Sequence, residues 1–330
     1  MTVTAPPPTL EAAAGRLADL LCGRATTTPD LRPGELELEP VIRARPLARA
    51  EPPVDTWAVD GGQAVVADAR CLQVVVTRAA RVRYRDGACV AEDEGELQAV
   101  LLGGVAERAA ALAAPALSEL GPETTVDANL LRDRGEWETV AVCVEEADPG
   151  GLVLVDGDLE PDWRLPRSLV TEVLRRARER GVTVAGVTKH SSLAGPGGTP
   201  LVGLLESEAQ EALGPRATWW APVARTRGQG QVRVVAARLD PDARFAFRVD
   251  LPAGHDPEAA LGSLSALCDD AAFPGYPYPL SVADRLAACS GWLRGELRLH
   301  LDELLERAGV GPEARERAFA DRHDLMERAR

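Results

Sequence analysis

Apolar residues in this chain gather in short, continuous runs that stop abruptly. Trp57-Ala58-Val59 ends in Asp60-Gly61-Gly62, and Leu152-Val153-Leu154-Val155 ends in Asp156-Gly157-Asp158. Runs of this length, bounded by turn residues, read as interior strands. A third run, Val182 to Thr188, ends in Lys189-His190-Ser191-Ser192.

The patterns between the runs predict the remaining elements. Residues 9–22 form an amphipathic helix, followed by a Pro- and Arg-rich connector to about residue 53. Three strands, Val54–Asp60, Cys71–Ala80 and Arg81–Val90, follow with short connections and a turn at Asp86-Gly87, the signature of an antiparallel meander. Helical stretches cover roughly 94–118 and 124–147, the second opened by Pro122. Strand Leu152–Asp156, helix Arg167–Arg180 and strand Val182–Thr188 make a βαβ unit, expected to be parallel and right-handed. A Gly/Pro loop at Gly195–Pro200 leads to a short helix near 204–213 and a hairpin, Gln231–Leu239 with Arg244–Leu251. Helices at about 257–268 and 281–308, then a charged helix after Gly311, close the chain.

Candidate chemistry sits at the strand ends. An aspartate there is costly to desolvate unless a positive group meets it. Two such aspartates point to a divalent cation, since Mg²⁺ prefers carboxylate oxygens and Mn²⁺ accepts them. Taken singly, each Asp-Gly reads as a tight turn; as a pair they read as a metal site. Lys189 stands out by composition, being the one lysine among 37 Lys+Arg. A chain that accepts arginine everywhere else retains an ammonium where a compact point charge is needed, or by chance on a loop. Strand ends are where α/β folds place ligands.

Charge and composition narrow the function. A net charge of −14 argues against non-specific coating of nucleic acid. A local basic track remains open: Arg81, Arg83 and Arg85 alternate on a strand and share one face. The sequence lacks the long uncharged run of a membrane helix, and residues 1–8 lack signal-peptide features, so a cytoplasmic protein is expected. The six cysteines are scattered without a CxxC pair and read as free thiols.

Three antiparallel strands, a helical excursion and a parallel βαβ unit, with acids ending two strands, are the layout of an α/β, ribonuclease H-like mixed sheet flanked by helices. With Val-Asp-Gly-Gly at 59–62, Leu-Val-Asp-Gly-Asp-Leu at 154–159, Gly-Val-Thr-Lys at 186–189 and Gly-Tyr-Pro-Tyr-Pro-Leu-Ser-Val-Ala-Asp-Arg-Leu at 275–286, the chain resembles the NurA nucleases. The resemblance covers roughly residues 50–295. It implies a nuclease domain at 51–295 between an N-terminal helix and connector (1–50) and a C-terminal helical extension (296–330).

The resemblance further implies a metal-dependent deoxyribonuclease, Mn²⁺- or Mg²⁺-loaded with two ions, that resects DNA ends and cleaves single strands. It would work in DNA repair or phage defence as a homodimer docked on a HerA-type hexameric ATPase. Asp60 would be the bridging ligand and Asp156 the second. The resemblance implies a third ligand from the helix before the second motif; Glu136 and Glu138 lie there about 200° apart, so they would not both face the site. The family's spacing favours Glu138, with Glu136 as the alternative. Asp284 would be the fourth, where the family often has histidine; it also reads as an acid stabilising a helix N-terminus. Lys189 would contact the phosphate, with His190 secondary. Tyr276 and Tyr278 read equally as base-stacking or as packing residues. Two other readings stand beside it: a catalytically weak or silent scaffold subunit of the same ATPase complex, and an actin- or sugar-kinase-like ATPase using Gly195-Pro196-Gly197-Gly198-Thr199 as a phosphate loop.

Overall fold

The computed structural model describes residues 9–21, 36–160, 163–195, 199–226 and 232–320. Its strands are β1 (Leu36–Leu38), β2 (Arg45–Pro46), β3 (Asp55–Asp68), β4 (Gln73–Arg85), β5 (Ala88–Asp93), β6 (Gln98–Leu102), β7 (Leu152–Asp156), β8 (Thr183–Thr188), β9 (Trp219–Thr226), β10 (Val232–Arg238) and β11 (Phe247–Pro252). Its helices are α1 (Leu10–Leu21), α2 (Val105–Leu112), α3 (Ala128–Glu146), α4 (Arg167–Arg180), α5 (Leu201–Leu213), α6 (Pro257–Ser265), α7 (Tyr278–Ala287), α8 (Gly291–Arg307) and α9 (Pro312–Phe319). The chain divides into two compact units. Among the described residues, no helix is long and apolar enough to cross a membrane.

One unit takes in the described parts of Met1–Pro53, Gly157–Leu159 and Thr183–Tyr278. Its strands pair antiparallel in the order β1-β9-β10-β11-β8, with β2 also on β9. Leu201, Leu205 and Ala209 of α5 pack in a core with Trp219, Val223 and Val234. A buried ion network ties down the segment Gly157–Leu159. Asp250, fully buried, accepts two hydrogen bonds from Arg248 at 2.8 Å and one from the Leu159 amide at 3.1 Å. Arg248 also reaches Asp158 at 3.1 Å. A buried carboxylate is tolerated only with such partners, so Asp158 and Asp250 complete a structural pair with Arg248.

The other unit holds Val54–Asp156, Glu160–Val182 and the described part of Pro279–Arg330. Its sheet runs β7-β3-β4-β5, with β6 on the far half of β4. β3 and β4 pair antiparallel from Asp55↔Arg85 to Asp68↔Gln73. β3 and β7 pair in parallel from Thr56↔Leu152 to Val59↔Val155. Asp60 and Asp156 therefore each follow the last paired residue of two adjacent parallel strands. The α3 helix packs over β3 and β4 and is clasped to α4, where Arg176 meets Glu145 at 2.8 Å and Arg180 donates to the Val144 carbonyl at 2.8 Å.

Several expectations are corrected. The predicted helix at 94–118 is β6, α2 and a 3-10 turn at Pro115–Leu117. Its first part is drawn into strand by pairing with β4, Val74 opposite Leu101, against its helix-forming composition. The two strands expected at 71–80 and 81–90 are one continuous β4 that turns at Asp86-Gly87 into β5. The helix expected at 281–308 is two, α7 and α8. β9 went unread because its apolar run carries Pro222 and no alternation. Arg81, Arg83 and Arg85 do share a face, but acids of the same unit meet them there. Arg83 forms a two-point pair with Asp55 (2.7 and 2.9 Å), Arg81 meets Asp93 and Glu146, and Arg85 meets Asp148. Arg81 and Arg83 also lie over the Trp57 ring, at 5.3 and 4.9 Å. The row is thus a stabilising ladder in place of a free phosphate track.

Candidate metal centre

Three carboxylates converge in the second unit. Asp60 leaves β3, Asp156 ends β7 and Asp284 projects from α7, and one oxygen from each lies within 4.8 Å of the others. Asp60 is 7% exposed, whereas Asp284 is open to solvent. The helix bearing Asp284 starts at Tyr278, so Asp284 lies beyond its first turn and does not serve as its N-terminal acid. Carboxylate oxygens gathered this closely repel one another unless a cation shares them, and an all-oxygen set is what a hard divalent ion takes.

The Val-Asp-Gly-Gly motif has a steric explanation. A methyl group at Gly61 would overlap the carboxylate of Glu136, and one at Gly62 would overlap the Ala287 carbonyl. Glycine at both positions lets α3 approach β3 from one side and the end of α7 from the other. Position 61 admits a buried acid beside Asp60, and the Gly61 amide is turned back onto Asp60 Oδ1 at 2.7 Å.

Glu136, the alternative in the sequence reading, packs its carboxylate against Gly61 but is not one of the three carboxylates that converge. It is 8% exposed and its charge interacts with that of Asp156. Burial pushes its carboxyl up to about 8; Asp133 and Asp156 push the same way, while Arg132 and the Gly61 amide oppose them. Glu138 does not join the three aspartates. Two residues further along α3, it faces solvent and meets Arg134 at 3.7 Å. The spacing argument that favoured Glu138 counted residues to Asp156, but the helical phase relative to Gly61 decides which acid turns inward. Arg132, one turn before Glu136, reaches it at 3.1 Å and was not singled out from the sequence; its i,i+4 spacing from Glu136 was the available signal.

Lys189 belongs to the first unit, directly after β8. Its ammonium sits 5.1 Å from the centroid of the Tyr276 ring. Tyr276 is 2% exposed and contacts Phe247 and Phe273, at 5.6 and 5.8 Å between ring centroids. The structure therefore makes Tyr276 a packing residue beneath the lysine; Tyr278 is half-buried. His190 is exposed. Of the Gly195–Thr199 loop, residues 196–198 lie outside the described residues.

No protein-family model matches the chain, and no curated protein matches it in sequence. Among solved structures, the NurA nuclease from Sulfolobus solfataricus aligns over 91% of this chain and 95% of its own, with a TM-score of 0.59 at 15% identity. A second NurA structure aligns over 73% of this chain and 86% of its own (TM-score 0.43, 8% identity). The catalytic domain of human Endonuclease V aligns over 92% and 100% (TM-score 0.39, 14% identity). The first of these likenesses shows that the chain has the α/β fold of a NurA nuclease; the lower scores of the other two carry no weight.

Proposed function

We propose that this chain is a metal-dependent deoxyribonuclease that hydrolyses phosphodiester bonds in single strands and at duplex ends. The observation that carries the reading is the convergence of Asp60, Asp156 and Asp284 on a fold shared with a NurA nuclease. These three, with Glu136 behind Gly61, are the residues to hold Mn²⁺ or Mg²⁺, and two ions suit this number of carboxylates. A divalent ion there supplies Lewis-acid charge to offset the negative charge that develops on a phosphodiester attacked by water. Asp60 and Glu136, both buried, provide the water-poor side of the centre; Asp284 provides its solvent-facing side. Lys189 is assigned to a DNA phosphate, its ammonium supported by the Tyr276 face.

The test is digestion of end-labelled single- and double-stranded DNA with Mn²⁺, with Mg²⁺ and with EDTA. Cleavage that needs the metal and is abolished in Asp60→Ala and Asp156→Ala, both still folded, supports the reading. Cleavage retained in EDTA, or in either variant, overturns it.

The net charge of −14 leaves the isolated chain a weak binder of DNA. We assign substrate delivery to a HerA-type hexameric ATPase that threads DNA into a homodimer of this chain. Measured mass, and the nuclease rate with and without that ATPase and ATP, test this assignment. A monomer that resects DNA rapidly and indifferently to the ATPase refutes it.

A further inference from the structure

We propose that Arg132 is a phosphate-binding residue of this same centre, gripping the DNA strand beside the carboxylates; the proposal rests on the nuclease reading above. Arg132 lies on the face of α3 that looks onto β3, as two neighbours show. Asn129 of the preceding turn bonds Gln63 of β3 at 2.7 Å, and Glu136 of the next turn packs on Gly61. The guanidinium is committed along one edge only. Nε meets Glu136 Oε1 at 3.1 Å, and Nε and Nη2 donate to Asp133 at 3.2 and 2.7 Å. Among the described residues Nη1 donates no hydrogen bond, and the side chain is 34% exposed.

This half-committed state fits a ligand of defined chemistry. A guanidinium is a planar fork with donors on two edges, so it can lean on an acid with one edge and take a phosphate oxygen with the other. Asp60 is among the charges acting on it, and Glu136, its partner at 3.1 Å, packs on Gly61, the residue after Asp60. Arg132 also lines an open groove between α3 and β4 with Arg78 and Arg81 and with the acids Asp93, Glu96 and Glu138. A strand whose phosphate reached the carboxylates would meet Arg132 as the positive group on the same helix as Glu136.

The competing role is internal: Arg132 merely neutralises Glu136. The two roles separate in the salt dependence of binding, because a phosphate contact releases counterions and an internal ion pair does not. The variants are R132A and R132Q, both compatible with helix, alongside D156A. The first measurement is fluorescence anisotropy of a labelled oligothymidylate with Ca²⁺ in place of Mn²⁺, across a salt series. The second is Mn²⁺-dependent cleavage of the same strand.

The expected result is a salt slope shallower by about 0.7 in log–log units, the value for one phosphate contact on a single strand. Cleavage should fall by roughly 10- to 100-fold, the worth of one charge-assisted hydrogen bond. Unchanged slope and a rate within about twofold of wild type, in whichever of R132A and R132Q folds, overturn the assignment. So does a loss of rate with an unchanged slope, which is the signature of the internal role. D156A keeps the questions apart. If wild type lacks metal-dependent cleavage, or D156A retains it, the nuclease reading fails; if both behave as expected while the Arg132 variants match wild type, only the present proposal fails.

Discussion

Glu136→Gln should make the metal-free protein more stable at pH 8 and leave it nearly unchanged at pH 5. Glutamine keeps the size and shape of the side chain while removing the charge. The ordinary glutamate value of 4.5 is raised to about 8 by burial first, then by Asp133 and Asp156. A folded-state value above the unfolded one means that the folded protein holds this proton more tightly. The associated stabilisation is complete below about 4.5 and is lost as pH rises toward 8. At about 1.4 kcal/mol per pH unit, ionising Glu136 costs the wild type roughly 4 kcal/mol by pH 8, an upper figure because relaxation and water entry reduce it. The glutamine variant escapes that cost, in which the attraction of Arg132 is already contained, so after relaxation and water entry a net gain of about 2 kcal/mol is expected. For a chain of this length that is roughly 3 °C in melting temperature. The assay is thermal unfolding in EDTA at pH 5 and pH 8, repeated with Mn²⁺, which should stabilise wild type more than the variant. A variant no more stable than wild type at pH 8, or equally stabilised at both pH values, refutes the placement of Glu136 as a buried acid of the centre.

Three further outcomes follow from the same geometry. Gly61→Ala forces a methyl into the Glu136 carboxylate, so stability should fall by about 1–3 kcal/mol and calorimetric Mn²⁺ affinity should drop with it. Asp55→Ala removes the two-point partner of Arg83, leaving it Asp148 at 3.6 Å, and should cost about 3 kcal/mol in urea unfolding at pH 7. Burial pushes Asp55 up, but Arg83 and the Asp148 amide outweigh it and hold its pKa below the usual 3.8; the stabilisation therefore exists above that value and fades as pH falls through the lowered one, so the deficit should shrink in acid. Lys189→Arg keeps the charge but widens the head group over Tyr276; cleavage should fall well beyond tenfold while DNA affinity changes little, and a wild-type rate would make the lysine incidental.

Local chemistry was sufficient for much of this protein. Continuous apolar runs ending in Asp-Gly placed β7 and the start of β3, and the α4 and β8 boundaries agree within a residue because a helix between two buried strands has a distinct period and clear stops. Asp60, Asp156 and the acid on α7 could be named from spacing and resemblance, and the structure brings their carboxylates together, although β3 continues through Asp60 to Asp68 where the sequence suggested an end. Pairing and phase belong to tertiary structure. Gln98–Leu102 is a strand because β4 offers it an edge, and no window around residue 98 contains that edge. The arginines of β4 are a ladder because Asp55, Asp93, Glu146 and Asp148 arrive from elsewhere in the chain to meet them. That Glu136 is buried and Glu138 exposed depends on the rotation of α3 about its axis, set by the close approach that Gly61 permits. Composition and period decide which segments are strand or helix and which acids are candidates. Which of two acids 200° apart on a helix turns inward, and which arginines are already paired, depends on partners distant in sequence, and only the folded chain supplies them.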